Sequence, residues 1–162
     1  MWMRPLSKGV QVNDRETTET PGHGPALYTA VARNSTGVNG ESTAEGGLTV
    51  AVASPPTGAG SAPAGTTNPE ELLALSWATC LNAAARVVAG VGVEVSARVE
   101  ISLHARGAAD GYEFSGRAEL FFAGIEEPQA EALAAAAHAR CPVSRMLAGT
   151  SRVEVAAVGA PR

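Results

Sequence analysis

Two runs of strict alternation dominate the chain. Val93, Val95, Ala97, Val99, Ile101 and Leu103 alternate with Glu94, Ser96, Arg98, Glu100, Ser102 and His104. This is the period of two that gives a strand one apolar and one wet face. Beyond an Asp110-Gly111 turn, Tyr112, Phe114, Gly116, Ala118, Leu120 and Phe122 repeat the pattern against Glu113, Ser115, Arg117 and Glu119, which predicts an antiparallel hairpin. Ala26 to Arg33 (ALYTAVAR) and Leu48 to Val52 (LTVAV) carry the β-branched and aromatic content of strands, and predict a second hairpin with a long connection. Val153 to Val158 predicts a short final strand.

Helical signals lie between these runs. Asn68-Pro69-Glu70-Glu71 supplies an N-cap side chain, a proline at the first helical position and acidic residues facing the positive helix end. Gly90 is the matching stop. The enclosed LLALSWATCLNAAARVVA is interrupted only by Ser76, Thr79, Asn82 and Arg86, so a helix buried on several sides is expected. A second, Ala-rich helix runs from Pro128 to Arg140, with His138 and Arg140 in its last turn, and Cys141-Pro142 ends it. Hairpins segregated from helices in this way indicate an α+β fold. The polar residues 1–24 read as a flexible extension to a single domain at 25–162. Ser54 to Thr67, SPPTGAGSAPAGTT, reads as a mobile loop.

The 162 residues suit one domain, and 45% hydrophobic with 17% charged suits a globular core. Twelve basic residues against sixteen acidic ones, without a Lys/Arg block, give no electrostatic reason to expect nucleic acid or an anionic membrane. No uninterrupted apolar run has the length of a membrane span, and MWMRPLSKGVQVNDRETTET has no apolar signal core. A cytoplasmic location without membrane partners is therefore expected.

Cys80 and Cys141 form neither a CxxC motif nor a Cys/His cluster, so no metal site is expected. His23, His104 and His138 fall in the extension, on a polar strand face and at a helix end, and make no triad. The Gly58-Ala59-Gly60 and Gly46-Gly47 clusters lack phosphate-loop spacing. Cys80 reads either as a small buried hydrophobe or as a nucleophile. In the second reading its thiolate attacks a peroxide, becomes a sulfenic acid and condenses with Cys141.

Thr66-Thr67-Asn68-Pro69-Glu70-Glu71-Leu72-Leu73-Ala74-Leu75-Ser76-Trp77-Ala78-Thr79-Cys80, followed by Cys141-Pro142-Val143-Ser144, resembles the OsmC/Ohr superfamily of organic hydroperoxide reductases. The LYTA segment at Leu27 to Ala30 also resembles the start of the Ohr branch. The resemblance covers about residues 26 to 158. It implies an intertwined α+β homodimer with two buried central helices and an active site at the subunit interface. It further implies thiol-dependent reduction of organic hydroperoxides, with Cys80 as peroxidatic and Cys141 as resolving cysteine, and with Glu70 orienting an arginine. No bound cofactor is implied. The reductant implied is an external dithiol, dihydrolipoamide or a lipoylated protein. Trp77, Leu73 and Met146 are the residues expected to line an organic substrate pocket, and core packing explains them as well.

The arginine is missing from both family positions. In the Ohr branch it lies in a Gly-Arg-Asp/Asn-Gly loop, and the matching stretch here is Gly37-Val38-Asn39-Gly40. In the OsmC branch it lies in the loop before the NPE motif, which here carries no charge. A free thiol is only a few per cent thiolate at neutral pH, burial lowers that fraction, and a cation opposes the effect. Arg33, Arg140 and Arg145 are the candidates to supply one, with Arg145 preferred. Without it, the alternative function is ligand binding or interaction by a protein that kept the fold and cysteines. Glu70 and Cys80 stand ten residues apart. One straight helix separates them by about 15 Å, so a shared site needs a broken helix, a long bridging side chain or a second subunit.

Overall fold

The N-terminal sheet owes its shape to turns more than to apolar residues. The computed structural model describes residues 24–54, 62–107 and 111–159. Most of the expected extension, the centre of the expected mobile loop and Asp110 lie outside the described residues. The chain divides into a unit ending at Val31 and a larger one beginning at Ala32. Residues 24–31 have no regular secondary structure. The strand expected at 26–33 survives only as β1 (Ala32–Asn34). Leu27 and Tyr28 are exposed, and without burial their apolar character gives no reason for a strand there.

Strands β2 (Asn39–Ala44) and β3 (Thr49–Ala53) complete an antiparallel sheet in the order β1-β2-β3. Strand β2, NGESTA, was not expected, because it has no apolar alternation to betray it. The Asn34 side chain builds the turn before it. Its Oδ1 accepts the N–H groups of Thr36 and Gly37, at 3.0 and 2.6 Å, and its Nδ2 donates to Ser42 Oγ at 2.9 Å. Such a side-chain-closed turn suits the left-handed Gly37, at φ 69°.

Thr67 joins this sheet to the first helix. Its N–H donates to the Ala51 carbonyl at 2.8 Å and its own carbonyl accepts from Ala53 N–H at 2.9 Å. Helix α1 (Pro69–Ala89) begins where the capping signal lies, with Asn68 Oδ1 accepting Glu71 N–H at 2.8 Å, and stops at Gly90, φ 86°. Strands β4 (Val95–Ala105) and β5 (Tyr112–Phe122) pair antiparallel through their whole length, Val95 opposite Phe122 and Ala105 opposite Tyr112. On their wet face Arg98 and Arg117 pair with Glu119, and Arg98 with Glu100.

Helix α2 (Glu127–Arg140) packs on α1 and β5. A third helix, α3 (Pro142–Leu147), follows at once where only a helix end was expected. The reason is local: Pro142 stops α2 and also suits the first position of a new helix. The core joins Trp77, Leu81, Ala84 and Ala85 of α1 to Phe122, Ala137 and Cys141. Gly116 makes room for it, since a Cβ there would lie 2.9 Å from the Trp77 ring.

Three further expectations need correcting. Residues 153–158 form no strand; Val153, Val155 and Val158 are exposed, and alternation alone supplies no neighbouring edge to pair with. Within one chain, neither long helix is buried on several sides: α1 buries one stripe and leaves Leu75 and Val87 exposed, and α2 buries only Ala137. At 21 residues α1 is also long and apolar enough to cross a membrane, contrary to the expectation that no such stretch exists. Part of its apolar surface packs on β4, β5, α2 and α3, and the rest is exposed in the single chain.

Candidate active site

Cys80 and Cys141, 61 positions apart, meet where α1 passes the junction of α2 and α3. Cys80 sits one helical turn beyond Trp77, at the edge of the buried stripe of α1, and is half-buried. Cys141 is fully buried and serves both neighbouring helices. Its N–H donates to the Ala137 carbonyl at 2.9 Å, closing α2. Its Sγ accepts the N–H of Ser144 at 3.4 Å, and its carbonyl accepts the N–H of Arg145 at 3.0 Å, opening α3. Both cysteines are free thiols, and Cys80 packs against the core cluster that contains Cys141.

The surroundings treat the two sulfurs differently. Burial pushes the Cys80 thiol above its ordinary range, opposed by the Val143 N–H and reinforced by the neighbouring Cys141. Burial also resists ionisation of Cys141, but hydrogen bonds from the Ser144 hydroxyl, the Ser144 N–H, Cys80 and the Val143 N–H outweigh it and hold that thiol below its ordinary range. The physical rule is that desolvation penalises the anion while donors stabilise it. Ser144 is fixed in turn by Trp77, whose Nε1–H donates to Ser144 Oγ at 2.8 Å across the α1–α3 contact. Trp77, Ser144 and Cys141 are all buried.

Among the described residues no guanidinium acts on either sulfur. Val38 lies in the β1–β2 turn, its side chain 45% exposed and its carbonyl accepting Ser54 N–H at 3.1 Å. Arg33 pairs with Glu45 at 2.6 Å. Arg140 and Arg145 are exposed. Glu70 occupies the first turn of α1, and because that helix runs unbroken to Ala89 the carboxylate stays well short of Cys80 in the same chain.

The expected pocket residues are dispersed: Trp77 is a core side chain, Leu73 is half-buried and Met146 is exposed. An open groove of about 360 Å³ is lined instead by Glu71, Ala74, Leu75, Ala78 and Val99. Among the described residues no cluster of metal-ligating side chains occurs. The sequence reading missed Ser144 as a contributor to the site. Its hydroxyl was visible within Cys141-Pro142-Val143-Ser144, but its contact with Trp77 spans 67 positions and leaves no local signal.

The sequence and the fold are similar to those of a known group of proteins. A protein from Mycoplasma pneumoniae named organic hydroperoxide resistance protein-like is 32% identical over 127 residues, covering 75% of this chain and 87% of the relative. Organic hydroperoxide resistance protein OhrA of Bacillus subtilis is 34% identical over 86 residues, 51% of this chain and 61% of that protein. Among solved structures, an organic hydroperoxide resistance protein from Legionella pneumophila superposes with a TM-score of 0.68 at 34% identity, covering 78% of this chain and 93% of its own. One from Vibrio cholerae, with captopril bound in one of its active sites, superposes with a TM-score of 0.67 at 29% identity, covering 77% of this chain and 88% of its own. The profile of the OsmC-like protein family matches residues 60–156, from the loop before α1 to the segment after α3. With the family match spanning more than half of the chain and the fold shared over most of it, the chain belongs to the OsmC-like proteins.

Proposed function

We propose that this protein is a thiol-dependent peroxidase that reduces organic hydroperoxides in defence against oxidative stress. The observation that carries the proposal is the packing of Cys80 on α1 against the core cluster that contains Cys141, both as free thiols. The relatives' names as organic hydroperoxide resistance proteins support a role of the family in peroxide defence. Cys80, the more accessible sulfur, attacks one peroxide oxygen. The O–O bond breaks, the alcohol leaves after taking a proton, and Cys80 becomes a sulfenic acid. Cys141 then attacks the Cys80 sulfur, the S–O bond breaks, and the hydroxyl leaves as water. An external dithiol of the lipoyl type restores both thiols, and no bound cofactor takes part. Such a cycle belongs in a reducing compartment, the cytoplasm.

The proposed working form is a homodimer. Leu75 and Val87 on α1, Leu103, Tyr112 and Phe114 at the far end of the β4–β5 hairpin, and Val153 and Val155 near the C-terminus are all exposed. Burying this much apolar surface calls for a partner, and a second copy supplies one by symmetry. Glu70 completes the site from the partner copy in this reading, and Arg145 is the proposed replacement cation. Leu73, Trp77 and Met146 form the apolar wall.

A second reading, a ligand-binding or interaction protein with weak or lost peroxidase chemistry, is favoured by the raised Cys80 thiol and by Val38 at the family arginine position. One experiment separates the two. Reduced protein is mixed with about one equivalent of tert-butyl hydroperoxide, or of hydrogen peroxide, and its intact mass is followed from the first seconds, with Cys80→Ser and Cys141→Ser as controls. The peroxidase loses two hydrogens per chain rapidly, faster with the organic peroxide, and neither variant does. An unchanged mass, or slow over-oxidation alone, selects the binding protein.

A further inference from the structure

We propose that Trp77 and Ser144 are positioning residues: the hydrogen bond between them ties the start of α3 to α1, one helical turn from each cysteine, and so sets how readily Cys80 and Cys141 close into a disulfide. The inference deepens the peroxidase reading, because that closure is its second step. It rests on that reading for the identity of the oxidant.

On each side of the tie a cysteine stands three residues away. Trp77 and Cys80 are three positions apart on α1, and so neighbours on one face of that helix. Cys141 and Ser144 are three positions apart at the start of α3, where the Ser144 N–H donates to Cys141 Sγ at 3.4 Å and caps the helix. Between the two helices, Trp77 Nε1–H donates to Ser144 Oγ at 2.8 Å. One turn of α1, one hydrogen bond and one turn of α3 therefore lead from Cys80 to Cys141, each turn rising about 5 Å. Cys80 accordingly packs against the core cluster that holds both Trp77 and Cys141.

The indole is fixed at both edges. Nε1 meets Ser144, and the opposite edge lies over Gly116 of β5, where a Cβ would stand 2.9 Å from Cζ3. Ile101 Cδ1 of β4 would lie 3.1 Å from the same Cβ. The ring thus spans the distance from the β4–β5 hairpin to α3. Helix α3 has only six residues, too few to hold a fixed place by helix propensity alone. Its first residue is anchored to α2 by the Cys141 N–H on the Ala137 carbonyl, at 2.9 Å, and the Trp77 bond anchors it to α1. With Trp77 8% and Ser144 1% exposed, water does not replace either partner. An indole N–H is a donor only. Loss of the Ser144 oxygen therefore leaves a buried donor without an acceptor, a cost relieved when α3 moves away from α1.

In this role neither the indole nor the Ser144 oxygen takes part in the bond changes. One sulfur of the pair carries a leaving group, the thiolate of the other forms the S–S bond, and the leaving group departs with the electron pair. With a peroxide the leaving group is hydroxide, protonated to water; with oxidised glutathione it is the glutathione thiolate. How far and how fast the step runs depends on the effective concentration of one sulfur at the other. A tie one turn from each sulfur raises that concentration by restraining α3.

Glutathione measures this quantity without a peroxide. Reduced protein is equilibrated in mixtures of reduced and oxidised glutathione, quenched with acid and alkylated, and the fraction of Cys80–Cys141 disulfide is read by intact mass. Ser144→Ala and Trp77→Phe are each expected to lower the equilibrium constant for the disulfide about tenfold, the scale of one buried hydrogen bond. The double variant is expected to fall no further than either single one, because both remove the same bond. Ser144→Thr keeps the acceptor and is expected to stay within about threefold of the wild type. Asn68→Ala weakens the far end of α1 without touching the tie, and is expected to lower the melting temperature and leave the constant unchanged.

A wild-type protein that forms no Cys80–Cys141 disulfide in oxidised glutathione overturns the tie. So does a constant unmoved by Ser144→Ala and Trp77→Phe, an effect that multiplies in the double variant, or an equal fall in Asn68→Ala. Because glutathione replaces the peroxide, a protein inert to tert-butyl hydroperoxide still gives these constants. A failed peroxide assay removes the peroxidase reading, and the tie stands or falls on the glutathione constants.

Discussion

At Cys80 the chemistry turns on which form of the thiol is present. Only the thiolate attacks a peroxide efficiently, and burial holds this thiol above its ordinary range with no guanidinium among the described residues to oppose it. Raising the pH therefore increases the reactive fraction, about tenfold per unit until the midpoint is reached. The initial rate of Cys80 oxidation by tert-butyl hydroperoxide should rise steeply from about pH 6 to pH 9. A stopped-flow or quenched-mass series checks it, and a flat profile would show that a cation outside the single chain already keeps Cys80 ionised. Cys80 and Cys141 were legible in the sequence as candidate thiols, and the missing arginine through the family resemblance alone. Ser144 was not, because its contact with Trp77 spans 67 positions and leaves no local signal.

Helix α1 is the element whose limits were most readable, since caps are local. Asn68 is 3% exposed and its side chain closes the first turn on Glu71 N–H. Asn68→Ala should cost about 1 kcal/mol, lowering the midpoint of thermal unfolding by about 3 °C. Asn68→Asp should cost much less, because it keeps the acceptor. Parallel thermal melts test the pair, and equal losses would show that the cap contributes little. Elsewhere, elements escaped the sequence reading where their cause is not periodicity. Strand β2 is polar throughout and exists because the Asn34 turn and β3 give its backbone partners. Helix α3 is only six residues long and starts from a proline and cysteine that also end α2.

For the whole molecule, the telling feature is apolar surface on the single chain. Leu75, 63% exposed on α1, borders the open groove beside Val99. In the proposed homodimer, a charge there is buried against its symmetry mate without a partner, at a cost of several kcal/mol. Leu75→Glu should therefore shift the protein toward monomer in sedimentation experiments. It should also slow peroxide reduction if the partner completes the site. A monomeric wild-type protein, or a dimer indifferent to Leu75→Glu, would remove this face from the interface.

The sequence by itself determined the α+β class, the β4–β5 hairpin, the extent of α1 and the chemical identity of the two cysteines. Each of these depends on periodicities, caps or side-chain types that act over one or two turns of chain. Tertiary structure alone decided that Cys80 packs against the cluster that contains Cys141, that Trp77 binds Ser144 across the α1–α3 contact, and that residues 153–158 stay without a strand partner in the single chain. These outcomes depend on contacts between distant segments or on the edge one segment offers another. No local run of residues encodes where its partner will be once the chain has closed around α1.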